Sequence, residues 1–313
     1  MITKPKSFSI RLNEKLVKYK NPLCIGIDPH PDLMHDIFGG SEQNPSSSSA
    51  LKNLEYFCTE VIYASNNKVS AVKPQVALFE RFGYQGLKVL SKISNLARSL
   101  NLLVIMDAKR GDIGSTSKAY AEAWLGSDAP FPSDALTLNP YLGLDSLQPF
   151  IEISQKTNSG LFILTRTSNP GSLDFQQLLF EKEFLWEKVA KSISSKVSEN
   201  ESKVGKSNQK LSSIGIVVGA TGSKEPKKLR KILPNAPFLV PGFGAQGGSA
   251  FNALKGIVRK DKSLVGLINS SRNITHSSEL DNSKNIKEWR NNLNKVIKKN
   301  ITEIKDAIKN NEF

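Results

Sequence analysis

Leu102-Leu103-Val104-Ile105-Met106-Asp107-Ala108-Lys109-Arg110-Gly111-Asp112 carries five consecutive apolar residues straight into a charged cluster. A near-continuous apolar run marks a strand covered on both faces. Alternation along it sets Leu103, Ile105, Asp107 and Lys109 on one side. Charges that close such a strand belong at the open mouth of a parallel sheet, where α/β enzymes collect their functional groups. Seven further runs have the same character: Leu23–Ile27, Val69–Val72, Ala135–Leu138, Leu161–Leu164, Ile214–Val218, Phe238–Val240 and Leu264–Ile268. Segments of helical period lie between them. One carries Leu51, Leu54, Cys58 and Ile62, a second Leu87, Leu90, Ile93, Leu96, Ala97 and Leu100, and a third Leu178, Leu179, Leu185, Trp186, Val189 and Ile193. Eight strand candidates separated by helices predict an α/β fold of the (β/α)8 or TIM-barrel type. An open doubly wound sheet is the competing arrangement.

A chain of 313 residues is long enough to bury a large core without disulfide or metal staples. No fixed-period repeat and no clean linker divides it, so a single domain over 1–313 is expected, with its barrel core at 20–272. Polar segments Gly39–Ser49, Ser198–Ser213 and Asn273–Asn285 read as loop insertions. A charged C-terminal helix is expected over 286–308, with Trp289, Leu293, Val296, Ile297, Ile301, Ile304 and Ile308 on its apolar side. Two cysteines, Cys24 and Cys58, and three histidines exclude a disulfide scaffold and an all-cysteine zinc site. Apolar runs fall far short of the ~18 residues that cross a bilayer. The basic start MITKPKSFSI is followed by no apolar stretch, so no secretory signal is read and a cytoplasmic location is expected. Lys and Arg exceed Asp and Glu by 14, and twelve basic against five acidic residues fall in 182–231. No aromatic residue follows Trp186 in that stretch, so the charge reads as solvated surface rather than a nucleic-acid platform. An anionic small substrate suits the same balance.

Polar groups close most of the apolar runs. Asp28 follows the first, Lys73 the second, and Asp107, Lys109 and Asp112 the third. A lysine set between carboxylates stays charged and aimed. Beside a substrate carbon it stabilises a developing carbanion and then delivers a proton. Thr165-Arg166-Thr167-Ser168-Asn169-Pro170-Gly171 follows the fifth run. Pro241-Gly242-Phe243-Gly244-Ala245-Gln246-Gly247-Gly248 follows the seventh, with four glycines that free backbone N–H groups to surround an anion. Arg272 ends the eighth run and supplies a bidentate cation beside that loop. Neither a P-loop nor a dinucleotide fingerprint is present in the sequence.

The segment Asp107-Ala108-Lys109-Arg110-Gly111-Asp112-Ile113-Gly114 resembles the signature of the orotidine 5'-phosphate decarboxylase family, in its longer bacterial branch. Gly26-Ile27-Asp28-Pro29 and Val72-Lys73-Pro74 before it, and Pro140-Tyr141-Leu142-Gly143, Thr167-Ser168-Asn169-Pro170-Gly171, Val218-Gly219-Ala220-Thr221 and the glycine-rich loop after it, complete the resemblance in order. The resemblance implies a homodimeric barrel that converts orotidine 5'-monophosphate to uridine 5'-monophosphate and carbon dioxide, with no metal or organic cofactor. It implies a catalytic set of Lys73, Asp107, Lys109 and Asp112, the last reaching into the partner subunit's site. Asp28, Lys73 and Thr116 would hold ribose, Ser168 and Thr221 the base, and Gly244, Ala245, Gln246 and Arg272 the phosphate. Hexulose-phosphate synthases share the Asp-x-Lys-x-x-Asp core but use a metal for an aldol-type reaction. They remain the alternative on the same scaffold. No nucleic-acid or membrane partner is expected.

Overall fold

The computed structural model describes residues 5–41, 44–205, 209–219, 224–243, 249–259 and 261–310. Its central sheet is a closed barrel of eight parallel strands in chain order. They are β1 Leu23–Ile27, β2 Ala71–Pro74, β3 Leu103–Arg110, β4 Ala135–Leu138, β5 Gly160–Arg166, β6 Ile214–Val218, β7 Phe238–Val240 and β8 Gly266–Ser270. Closure comes from β8 pairing with β1, Leu23 opposite Ile268 and Cys24 opposite Asn269. That pairing excludes the open doubly wound sheet. All eight apolar runs become strands. Two of them, β2 and β8, sit two residues further on than the runs themselves, which brings Lys73 and Asn269 inside the ladder.

The pleat divides each run between two cores. Cys24, Ala71, Leu103, Ile105, Ala135, Phe162, Val217, Leu239 and Leu267 point into the barrel. Ile25, Val72, Val104, Met106, Leu136, Ile163, Ile216, Phe238 and Ile268 pack outward against the helices. The C-terminal helix runs Ile286–Asn310 and buries Trp289, Leu293, Val296, Ile297 and Ile304 as its periodicity requires. Trp289 meets Phe38 edge-on at 4.8 Å.

A helix over Phe8–Tyr19, ahead of the expected core, closes the barrel floor. Its Phe8, Leu12 and Leu16 are buried in the inner cluster. Phe8 meets Phe162 edge-on with centroids 5.9 Å apart. Gly160 permits this approach, because a Cβ there would lie 2.3 Å from the Phe8 ring. The floor has a second component where a polar loop was expected. Within 198–213, Glu201–Val204 and Gln209–Ser212 form an antiparallel hairpin. Val204 and Leu211 turn from it into the inner cluster, and two apolar anchors in a polar stretch are enough to fold it down. The third expected helix is shorter than its pattern. It spans Leu185–Ser192, while Leu178 and Leu179 are exposed, Leu179 in a small hairpin with Phe184. Part of the basic charge in 182–231 is taken up locally, by carboxylates or by backbone carbonyls. Lys191 pairs with Glu183 at 2.5 Å and Lys210 with Glu201 at 3.2 Å. Lys228 pairs with Glu187, and the Arg230 guanidinium donates to the carbonyls of Leu233, Pro234, Ala236 and Gly256.

Candidate active site

At the C-terminal ends of the strands the barrel opens into a cavity of about 390 Å³, lined among others by Asp28, Lys73, Asp107, Lys109, Ser168 and Arg272. Asp107 is its electrostatic centre. One carboxylate oxygen accepts from Lys73 Nζ at 2.6 Å and from Gln75 Nε2 at 3.4 Å. The other accepts from Lys109 Nζ at 2.5 Å and from Thr137 Oγ1 at 3.1 Å. Burial alone would raise the Asp107 carboxyl, but Lys73 and Lys109 outweigh it and hold the group well below the ordinary carboxylate range. Burial likewise works against the Lys73 ammonium, and Asp107 followed by Asp28 overcomes it and holds Lys73 above the ordinary lysine value. The two lysines differ in access to water. Lys73 is 4% exposed in its side chain, Lys109 46%.

Asp107 is placed by the pleat, in line with Leu103 and Ile105 inside the barrel. Simple alternation does not place Lys109. Its backbone is left-handed, with φ 47°. The β3–β4 register shifts between Met106 and Arg110, and the Lys109 N–H donates to Thr137 Oγ1 at 2.9 Å. This bulge turns the ammonium back onto Asp107.

Asp28 lines the cavity at the end of β1, and its Oδ1 is buried with no hydrogen-bond partner among the described residues. Below it lies His276, whose Nε2 is 2.8 Å from the Asp28 carbonyl and whose Nδ1 is 2.9 Å from the Leu33 carbonyl. Phe57 stacks on the ring at 5.4 Å, and burial lowers the imidazole below its ordinary value. The neutral ring carries one N–H, so it bonds one of the two carbonyls at a time. His276 thus ties the Asp28 turn to the segment that carries Arg272. Ser168 faces the cavity on a segment fixed by the Thr167 N–H donating to Gln176 Oε1 at 2.8 Å. Gly219 keeps that approach open, since a Cβ on it would lie 2.9 Å from Ser168.

The cavity therefore gathers Asp28, Lys73, Asp107, Lys109, Ser168 and Arg272 from the residues the sequence singles out. Asp112 and Thr116 do not line it. Asp112 Oδ1 accepts from the Ile113 N–H at 2.8 Å, and Thr116 is exposed on the helix Gly114–Leu125. Thr221, Gly244, Ala245 and Gln246 lie outside the described residues. The sequence reading missed Thr137, which lines the cavity, and His276, which supports it from outside through the Asp28 carbonyl. Thr137 sits in the apolar run Ala135–Leu138, with only its hydroxyl as a signal, and His276 in a stretch that reads as a polar loop.

Fold and cavity together define a barrel enzyme built around a lysine–aspartate–lysine centre, with Lys73 and Asp107 buried and Lys109 open to water. The family model described as "Orotidine 5'-phosphate decarboxylase / HUMPS family" matches residues 21–287, and the chain belongs to that family. It is similar to the orotidine 5'-phosphate decarboxylase of Caldicellulosiruptor bescii, at 40% identity over 283 residues, 87% of this chain and 90% of that one. The enzyme of the same name from Rhodopirellula baltica is 38% identical over 272 residues, 86% of this chain and 88% of its own length. Among solved structures, the Leishmania donovani OMP decarboxylase is 29% identical with a TM-score of 0.74, covering 97% of this chain and 100% of that one.

Proposed function

We propose that this chain converts orotidine 5'-monophosphate to uridine 5'-monophosphate and carbon dioxide, as a carbon–carbon lyase of pyrimidine biosynthesis. The observation that carries the reading is Asp107 held ionised between two ammonium groups at the base of a cavity that also presents Arg272. Arg272 takes the phosphate, Asp28 and Lys73 the ribose hydroxyls, and Ser168 the pyrimidine. The substrate carboxylate then lies against Asp107, where two like charges share a confined space. The bond between pyrimidine C6 and the carboxyl carbon breaks, carbon dioxide leaves, and the electron pair stays on C6. Lys109 stabilises that carbanion and transfers an Nζ proton to C6. Its half-exposed side chain regains a proton from water. Preorganised charge gains most from transition-state stabilisation, and the remote phosphate supplies binding energy for positioning.

Asp112 and Thr116 act in the partner subunit's site of a homodimer. The support is their position outside their own cavity, on a surface that exposes Ile113, Tyr141, Leu142 and Leu144. The protein works in the cytoplasm. Among the described residues no helix is long and apolar enough to cross a membrane. The reaction uses no metal or organic cofactor. Exhaustively chelated protein is expected to convert orotidine 5'-monophosphate at the untreated rate, followed by loss of the substrate chromophore. Activity abolished by chelation and restored only by a divalent ion would overturn the metal-free reading.

A further inference from the structure

A second cavity, of about 420 Å³, lies at the opposite end of the barrel from the mouth. Leu103, at the start of β3, and Asp134, immediately before β4, form its inner wall. The floor helix Phe8–Tyr19 contributes Arg11, Glu14, Lys15 and Lys18, and Arg98 comes from the end of the helix Gly83–Ser99.

The charges around it do not balance. Both carboxylates are already engaged. Asp134 pairs with Arg11 and accepts the Val104 N–H at 2.9 Å, with Arg98 at 3.9 Å, and Glu14 pairs with Lys6 at 2.5 Å. Each nitrogen of the Arg11 guanidinium is engaged, the other two donating to the carbonyls of Lys6 and Asn158. Lys15 is only 8% exposed, and its ammonium donates to neutral acceptors alone, the Asn101 carbonyl and Asn101 Oδ1. Among the described residues neither Lys15 nor Lys18 forms an ion pair. Burial, and then Lys18, lowers the Lys15 ammonium below its ordinary value; Asp134 and Glu14 oppose the shift and Arg11 adds to it. Lys15 is thus a buried cation beside an open cavity with no carboxylate paired directly to it, the nearby Asp134 and Glu14 being engaged by Arg11 and Lys6.

We propose that this cavity binds a small phosphate-bearing dianion, inorganic phosphate or a phosphate monoester, held by Lys15, Lys18 and Arg98. The site is separate from the catalytic mouth, and an occupant would fasten the floor helix to the barrel. The family-model match begins at residue 21, so the helix that supplies Lys15 and Lys18 lies outside it.

Calorimetric titration of the full chain with inorganic phosphate, and separately with uridine 5'-monophosphate, tests this. The chain with Arg272→Ala, which removes the proposed catalytic phosphate contact, is expected to retain one phosphate site. Adding Lys18→Ala and Arg98→Gln to it should weaken phosphate by about tenfold or more, as expected for losing charged contacts to a dianion. Both are exposed side chains, so folding is preserved, and on the wild-type background the same pair should leave turnover unchanged. Affinity should also fall as pH rises through the lowered Lys15 value, earlier than for an ordinary lysine. Competition by uridine 5'-monophosphate at this site identifies an ester as occupant, and phosphate binding without it identifies the free ion. An Arg272→Ala chain that binds no phosphate, or a Lys18→Ala and Arg98→Gln pair with unaltered affinity, overturns the proposal. A wild-type chain and an Arg272→Ala chain that bind equal numbers of phosphate would instead count against Arg272 as the catalytic phosphate ligand.

Discussion

Lys109 enters the active site through a left-handed backbone, a conformation that costs a non-glycine residue about 1–3 kcal/mol. The Thr137 hydroxyl and the Asp107 carboxylate hold it there. Asp107 in turn keeps the buried Lys73 charged, so Asp107→Asn should leave an unpaired ammonium and cost about 3–5 kcal/mol at neutral pH. The pH dependence has a definite sign. The folded Asp107 value is depressed, so its contribution is complete above the ordinary carboxylate value and fades as pH falls through the depressed one. The Lys73 value is raised, so its contribution is complete below the ordinary lysine value and is lost only as pH rises past the raised one. Urea titrations should therefore show a deficit for Asp107→Asn that is flat across neutral pH and shrinks in strong acid. A deficit that grows on acidification would contradict the pairing. Arg272→Ala should lower kcat/KM for orotidine 5'-monophosphate by about 2–5 kcal/mol in free-energy terms and affect the phosphate-free nucleoside much less. Equal losses for both substrates would remove Arg272 from the phosphate. At this scale the sequence is most legible where a charge closes an apolar run, as at Asp28, Lys73, Asp107 and Arg272. The kink at Lys109 and the His276 tie are not legible, because both depend on neighbours brought together only by barrel closure.

Among the elements, the strands announce themselves because burial on both faces demands unbroken apolar runs. Only on the third run does a charge at its end mark the inward side, that of Leu103, Ile105 and Asp107; for the other runs the sorting into two cores waits on the register of the closed barrel. The floor helix shows why short amphipathic elements escape notice. Phe8, Leu12 and Leu16 repeat at a four-residue spacing, but basic and polar residues separate them and the element precedes the first strand. Its weight is nonetheless large. Phe8 is fully buried against Phe162 and Gly160, so Phe8→Ala should open a cavity and destabilise the protein by about 3–5 kcal/mol. Chemical denaturation measures this, and a loss below about 1 kcal/mol would mean that the helix lies loosely on the floor. The hairpin within 198–213 escapes for the same reason, since among the described residues Val204 and Leu211 alone anchor it in the inner cluster.

For the whole molecule, the barrel brings the lysine–aspartate–lysine centre to one end, but Asp112 and Thr116 leave that cavity for the surface. The sequence order Asp107, Lys109, Asp112 alone does not separate a residue used within its own subunit from one lent to a neighbour. Strand β3 ends at Arg110 and a new helix starts at Gly114, so Asp112 lies where the chain turns away from the mouth. The account's central claim is a decarboxylation centre in which Lys109 of one subunit and Asp112 of the partner subunit act on a single substrate. Mixing two inactive proteins, Lys109→Ala and Asp112→Ala, under conditions that exchange subunits tests it most directly. In the mixed dimer one pocket collects both lesions and the other collects neither, so each heterodimer should regain up to about half the activity of the wild-type dimer. Continued inactivity, with heterodimers confirmed by mass, or full activity in either parent protein, would contradict it.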